Sequence, residues 1–135
     1  MVCYQCGGET QVINSRPQKR VNQVWRRRVC VLCDAVYTTT EGIDYGKNLL
    51  VRTAEHKQLH PLSRDRLLLS LYKSLGHRPT ALQDAAGLAA TIITKAAPRA
   101  QAGILEANQI AETAFVALSR FDKLAAQHYQ AFHRV

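Results

Sequence analysis

The sequence predicts an α+β fold in two parts, a small cysteine-stapled β module followed by a mainly helical domain. Three observations predict it. All four cysteines, Cys3, Cys6, Cys30 and Cys33, lie in the first quarter of the chain. That quarter is rich in β-prone runs and turn residues. From about residue 48 onward Ala and Leu become frequent and recur at helical spacing. A chain of 135 residues has room for such a module and one further domain of about ninety residues. The division adopted is 1–45 and 46–135.

The cysteines form two C-x-x-C pairs, Cys3-Tyr4-Gln5-Cys6 and Cys30-Val31-Leu32-Cys33, with residues 7–29 between them. A C-x-x-C turn lets two thiolates reach one ion, and two such turns supply the four sulfurs that tetrahedral Zn²⁺ prefers. Disulfides or free thiols are the alternative. Nothing at the N-terminus reads as a secretory leader, and bridging residues only two apart is geometrically awkward. The spacer exceeds the roughly 15 to 20 residues of the simplest two-pair motif, which leaves room for a projecting hairpin. Four protein ligands leave a metal no open position, so the expected Zn²⁺, one per chain, is structural.

Taken in order, Gly7-Gly8 makes the tight turn that carries amides toward the sulfurs. Gln11-Val12-Ile13 is β-prone, and Asn14-Ser15-Arg16-Pro17 reads as a turn. Val21–Val29 is again β-like. The spacer carries Arg16, Lys19, Arg20, Arg26, Arg27 and Arg28 with no acid among them, within a chain of net charge +8. Such a concentration favours a polyanion, nucleic acid first and an anionic membrane surface second. On a strand Arg26 and Arg28 point one way and Arg27 the other, which suits a groove better than a flat surface. Trp25 either packs on the ribbon or stacks on a base or an arginine, packing being favoured. Val36–Thr40 closes the sheet, and Glu41–Gly46 reads as the linker.

Leu49–Arg52 and Leu59–Leu62 then read as two short strands joined by a polar turn near Ala54–Lys57. Ser63 is a fair N-cap for a first helix running to about Leu75, with Leu67, Leu68, Leu71 and Leu75 on one face. Thr80 and Gln83 form a capping-box pattern for a second helix carrying Leu82, Ala85, Ala89, Ile92 and Ile93. Pro98–Gly103 is a loop. A third helix is predicted over about Leu105–Phe121, and a fourth from about Asp122 carries Leu124, Ala125, His128, Tyr129 and Phe132. These stripes read as core. No apolar run approaches the roughly eighteen residues a spanning helix needs, so a soluble, cytoplasmic protein without membrane partners is expected.

Several motifs at fixed spacing now coincide: Cys3-x-x-Cys6, Val12-Ile13-Asn14-Ser15-Arg16, Arg26-Arg27-Arg28-x-Cys30-x-x-Cys33 and Thr38-Thr39-x-Glu41. Together they resemble the bacterial transcriptional repressors of ribonucleotide reductase genes (NrdR type). Leu50-Val51-Arg52, His60-Pro61-Leu62, Arg66 and Arg78-Pro79, with the closing stretch Leu118–Arg134, resemble that family's ATP-cone, a short β-hairpin plus about four helices. The resemblance implies a zinc ribbon whose ligands are Cys3, Cys6, Cys30 and Cys33. It implies a double-stranded paired operator as target, contacted by Arg16, Arg26, Arg27 and Arg28, to which the charge pattern adds Lys19 and Arg20. ATP or dATP on the cone would set the state of a homo-oligomer. Leu50 and Val51 would border the base, with Arg52, Arg66 and Arg78 on the phosphates and His77 beside them. The chain departs from the family pattern at Tyr4, Asn14, Trp25, His77 and Ala126.

A second hypothesis is a nucleic-acid-binding ribbon whose cone serves only for oligomerisation. An enzyme is not expected: the metal is saturated, no nucleophile–base pair stands out, and His56, His60, His77, His128 and His133 are scattered.

Overall fold

The computed structural model describes residues 1–55 and 57–133. His56 and Arg134, both named above, lie outside the described residues. The chain divides into two units, Met1–Ile43 and Asp44–Val135.

The first unit is an antiparallel meander of β1 (Thr10–Gln18), β2 (Gln23–Cys30) and β3 (Val36–Gly42), with β2 in the middle. The segment 14–17 is strand rather than turn. Pro17 is tolerated because β1 is an edge strand, where a missing N–H costs no ladder bond. A bulge at Ile13, between the pairs Val12↔Arg28 and Asn14↔Arg27, absorbs one residue and re-aims the rest of β1. The reversal falls later, on a 3₁₀ turn at Lys19–Val21 closed by Asn22 at φ 50°. Glu41 and Gly42 belong to β3 rather than to a linker.

The second unit contains β4 (Leu50–Arg52), β5 (Leu59–Pro61) and β6 (Ile104–Glu106), in the order β5-β4-β6 with β6 parallel to β4. Its helices are α1 (Tyr45–Asn48), α2 (Arg64–Ser74), α3 (Ala81–Ala96), α4 (Ala107–Phe121) and α5 (Lys123–Phe132). The α+β class and its order, β module first and helices after, hold. Two elements go beyond the expected hairpin and about four helices: the single turn α1 and the strand β6. Gly103 at φ 74° turns the chain sharply, and its carbonyl accepts from the Leu50 N–H at 2.9 Å, so residues 104–106 pair with β4 before α4 begins.

Ser63 caps α2 as expected, its hydroxyl accepting from the Arg66 N–H at 3.2 Å. Thr80 does not form the capping box with Gln83; its hydroxyl donates to Asp84 at 2.7 Å instead. The core joins Leu71 and Leu75 to Ala85, Ala89 and Ile92, then to Ala114, Leu118, Ala125 and Tyr129. Small residues on α3 let α2 and α4 approach it closely. Leu82, Phe121, Leu124 and Phe132, expected in the core, are exposed. Leu82 and Leu124 each follow or precede a buried alanine by one position, about 100° away around the helix. A smaller cluster of Leu62, Ile93, Ala96 and Leu105 seats the sheet on the helices. Among the described residues no helix is long and apolar enough to cross a membrane.

Candidate functional site

Two matching turns bring the cysteines together. In the first, the Gly7 N–H donates to the Cys3 carbonyl at 2.9 Å, with Gly7 at φ 74°; in the second, the Asp34 N–H donates to the Cys30 carbonyl at 3.2 Å, with Asp34 at φ 58°. Each C-x-x-C is thus closed by a left-handed residue directly after its second cysteine. The four sulfurs all lie within 4.8 Å of one another. Cys3 and Cys33 are 3.7 Å apart and Cys6 and Cys30 3.4 Å, and all four are free thiols. A tetrahedron with metal–sulfur bonds of about 2.3 Å has edges of about 3.8 Å, so the arrangement suits Zn²⁺.

Backbone amides point at these sulfurs: Gln5 N at Cys3, Gly8 N at Cys6 and Leu32 N at Cys30, each 3.4 Å away. The Cys33 and Leu32 amides hold the Cys30 thiol down at about 7, despite its burial. The Ala35 amide draws Cys33 down, but the contact with Cys6 and burial push it up to about 12. One thiolate therefore forms readily. Further negative charge in so small a space needs a divalent cation to offset it.

The basic residues divide between the two sheet faces as strand alternation requires. Direct pairing puts Arg27 opposite Asn14 and Trp25 opposite Arg16, so Arg16, Trp25 and Arg27 share one face. Arg26 and Arg28 take the other. There Arg26 pairs with Glu41, while Arg28 donates to Thr39 Oγ1 at 3.3 Å and to Thr10 Oγ1 at 3.5 Å. Arg16, Lys19, Arg20 and Arg27 are exposed and Trp25 is half-buried. Thr39 and Glu41 belong to the Thr38-Thr39-x-Glu41 motif noted in the sequence, but their part in steadying two of the arginines, and that of Thr10, was not foreseen; the Thr-x-Glu alternation on β3 is the signal for it.

In the second unit Val51 and Arg66 line a cavity of about 220 Å³ between the sheet and the helices. Thr53, His60, Ser70, Tyr129 and His133 also line it, over an apolar floor that includes Leu62, Leu67 and Ile93. None of those five was foreseen as a site residue. The signals were present: Thr53 lies two residues on from Val51, just past β4, and His133 lies four on from Tyr129, at the end of α5. The Tyr129 and His133 rings stack at 4.0 Å, and His133 Nε2 meets Ser70 Oγ at 2.8 Å. Burial pushes the Tyr129 hydroxyl up to about 12 and the His133 imidazole down. Thr53 Oγ1 is buried with no hydrogen-bond partner among the described residues.

The remaining expected nucleotide residues sit elsewhere. Leu50 is exposed, and Arg52 pairs with Glu106 at 3.0 Å. His77 and Arg78 occupy the turn between α2 and α3. His77 Nε2 lies 2.9 Å from Asp122, and Arg78 meets Asp84 at 2.9 Å and Asp122 at 3.2 Å while lying 4.7 Å over the Phe121 ring. Asp122 also caps α5, and the Ala125 amide together with His77 holds its carboxyl down at about 2.

Residues 1–41 match the family described as the transcriptional repressor NrdR-like N-terminal domain, and its zinc ribbon is the β module described above. The transcriptional repressor NrdR of Symbiobacterium thermophilum is 34% identical over 83 residues, covering 62% of this chain and 54% of that protein. The NrdR of Afipia carboxidovorans is 29% identical over 135 residues, 99% of this chain and 84% of the relative. That of Chromobacterium violaceum is 30% identical over 142 aligned positions, again 99% of this chain and 87% of the relative. With similarity running through both units, the chain belongs to the NrdR family of transcriptional repressors.

Proposed function

We propose that the protein is a cytoplasmic, zinc-stapled repressor that binds a paired operator on duplex DNA near ribonucleotide reductase genes. ATP or dATP in the second unit sets its oligomeric state and so its operator affinity. The observation that carries this reading is the juxtaposition of a cysteine tetrad with a hairpin bearing six cations. Cys3, Cys6, Cys30 and Cys33 hold the Zn²⁺, which supplies a fixed cross-link. Arg16, Lys19, Arg20 and Arg26–Arg28 supply phosphate affinity, and arginine forks can read guanine edges in the major groove. Pairing two ribbons on half-sites about one helical turn apart is the ordinary route to specificity from so small a footprint, which accounts for a homo-oligomer.

Nucleotide binding is assigned to the cavity that Val51 and Arg66 share, with Leu50 and Arg52 at its strand. A specific observation supports a second reading, in which the second unit serves only for oligomerisation: His77 and Arg78 are already occupied by Asp84 and Asp122.

The test is a fluorescence-anisotropy titration of the zinc-loaded protein on an operator duplex and on a shuffled copy. Each is run without nucleotide, with ATP and with dATP. Operator preference that shifts with nucleotide supports the full reading, and preference that ignores nucleotide supports the second. Equal binding to both duplexes overturns operator recognition.

A further inference from the structure

We infer that a basic notch between the end of α3 and the outer face of α4 is a second phosphate-contacting site for the backbone of duplex DNA. It is built from residues outside the basic hairpin and rests on the DNA-binding reading above.

The notch, of about 270 Å³, gathers Lys95, Arg99 and Arg120 around Glu112, Thr113 and Val116. Among the described residues Glu112 is the only carboxylate lining it, and Arg99 already takes that charge at 2.8 Å. Arg99 also donates to the Gln109 carbonyl at 3.0 Å and to Thr113 Oγ1 at 3.3 Å, so its guanidinium is fixed rather than mobile. Lys95 and Arg120 are exposed and form no ion pair among the described residues. Two uncompensated cations therefore flank a fixed third.

Attraction to the C-terminal ends of α3 and α4 accounts for a cation in each last turn, but not for their convergence on one notch with a single acid. The notch is open and, among the described residues, has no buried polar group to read a small molecule. Its exposed Val116 and cationic rim suit a sugar–phosphate strand, which presents charge along a line and needs no enclosure.

The test compares full-length, zinc-loaded Lys95→Glu/Arg120→Glu with Lys47→Glu/Lys123→Glu, an exposed pair that changes net charge equally. Affinity for a random-sequence duplex of several helical turns is measured across a salt series. Each lost phosphate contact removes about 0.9 from the slope of log affinity on log salt. The notch variant should lose about 2 in slope and bind at least about tenfold more weakly at roughly 0.1 M salt. The control pair should lose well under 1 on the same scale. Lys95→Arg/Arg120→Lys should restore the slope, and Lys95→Gln/Arg120→Gln serves if the reversals disturb the circular dichroism spectrum. Equal slopes for notch and control variants would overturn the inference, leaving a solvated basic face. If the unsubstituted protein binds duplex without salt dependence, the DNA-binding reading fails first and the notch with it.

Discussion

Thr53→Val should stabilise the protein and weaken nucleotide binding at once. The Thr53 backbone is fixed at the β4–β5 turn: its N–H donates to the Gln58 carbonyl at 3.0 Å, and its own carbonyl accepts from Lys57 at 3.1 Å. The side chain beyond it is not so provided. Its hydroxyl is buried and finds no acceptor or donor among the described residues, in a residue that lines the same cavity as Arg66. Leaving such a group unpaired costs about 1–3 kcal/mol. Valine keeps the β-branch and nearly the same volume, so the local backbone survives the exchange while the unpaired group disappears.

A net gain of about 1 kcal/mol follows, which in a domain of this size raises Tm by roughly 4–8 °C. If the hydroxyl is kept to meet a bound nucleotide, removing it forfeits one hydrogen bond, or about tenfold in affinity. Thermal melts followed by circular dichroism give the first quantity and calorimetric titration with ATP and dATP the second. An unchanged or lowered Tm would show that the hydroxyl already has a partner. A raised Tm with undiminished affinity would place the nucleotide somewhere other than this cavity.

Chelating the metal should unfold the first unit and abolish DNA binding while the helical signal of the second persists. A structural zinc contributes about 10–16 kcal/mol, more than so small a β module can supply from its own core; far-UV circular dichroism and anisotropy report the two effects. Arg27→Ala should lower the salt slope of DNA binding by about 0.9 and leave stability untouched, since Arg27 is exposed. Arg28→Ala should cost both, with about 0.5–1.5 kcal/mol of stability for each bond to Thr39 and Thr10 that forms in solution. Acidification should weaken the second unit in two steps. Burial lowers the His133 imidazole, so the unfolded chain takes up that proton first and stability falls as pH drops below about 6.5. Asp122 is lowered to about 2, so its contribution is full above the ordinary carboxyl value of 3.8 and is lost only as pH falls toward 2. Urea midpoints across the pH range should resolve the steps, with His133→Gln removing the upper one.

What the sequence made legible was whatever depends on spacing along one segment. The C-x-x-C pairs fix their own turns, Ser63 caps the helix it begins, and alternation alone separates Arg27 from Arg26 and Arg28. What it hid depends on partners far along the chain. Asn14–Pro17 has turn chemistry, yet pairing with β2 overrides it, and an edge strand forgives the proline. Ile104–Glu106 joins a helical pattern smoothly, and only Gly103 and the open side of β4 make it a strand. Leu82 and Leu124 fall within apolar stripes but lie one position away from the alanines that contact the neighbouring helices. The cavity was half legible: Val51 and Arg66 were found from hairpin and first helix, whereas Tyr129 and His133 arrive from the other end of the unit.

The same long-range pairing decides which cations remain able to meet a triphosphate. Arg66 lines the cavity and has no carboxylate partner among the described residues. Arg52 is held by Glu106, both side chains being about two-fifths exposed, so water already screens that pair and release is inexpensive. Arg78 differs: two carboxylates raise its affinity for its proton, and Asp122 must also cap α5. Diverting Arg78 to a phosphate would loosen the α2–α3 turn and the start of α5 together. Nucleotide affinity should therefore fall most in Arg66→Gln, by about ten- to a hundredfold for a charge-assisted contact. It should fall less in Arg52→Gln and hardly at all in Arg78→Gln, which should instead lower Tm. Calorimetry and melts on the three variants give the ranking. If Arg78→Gln proved the most damaging to affinity and left Tm unchanged, the ion cluster at the α2–α3 turn would be a ligand site rather than a clasp.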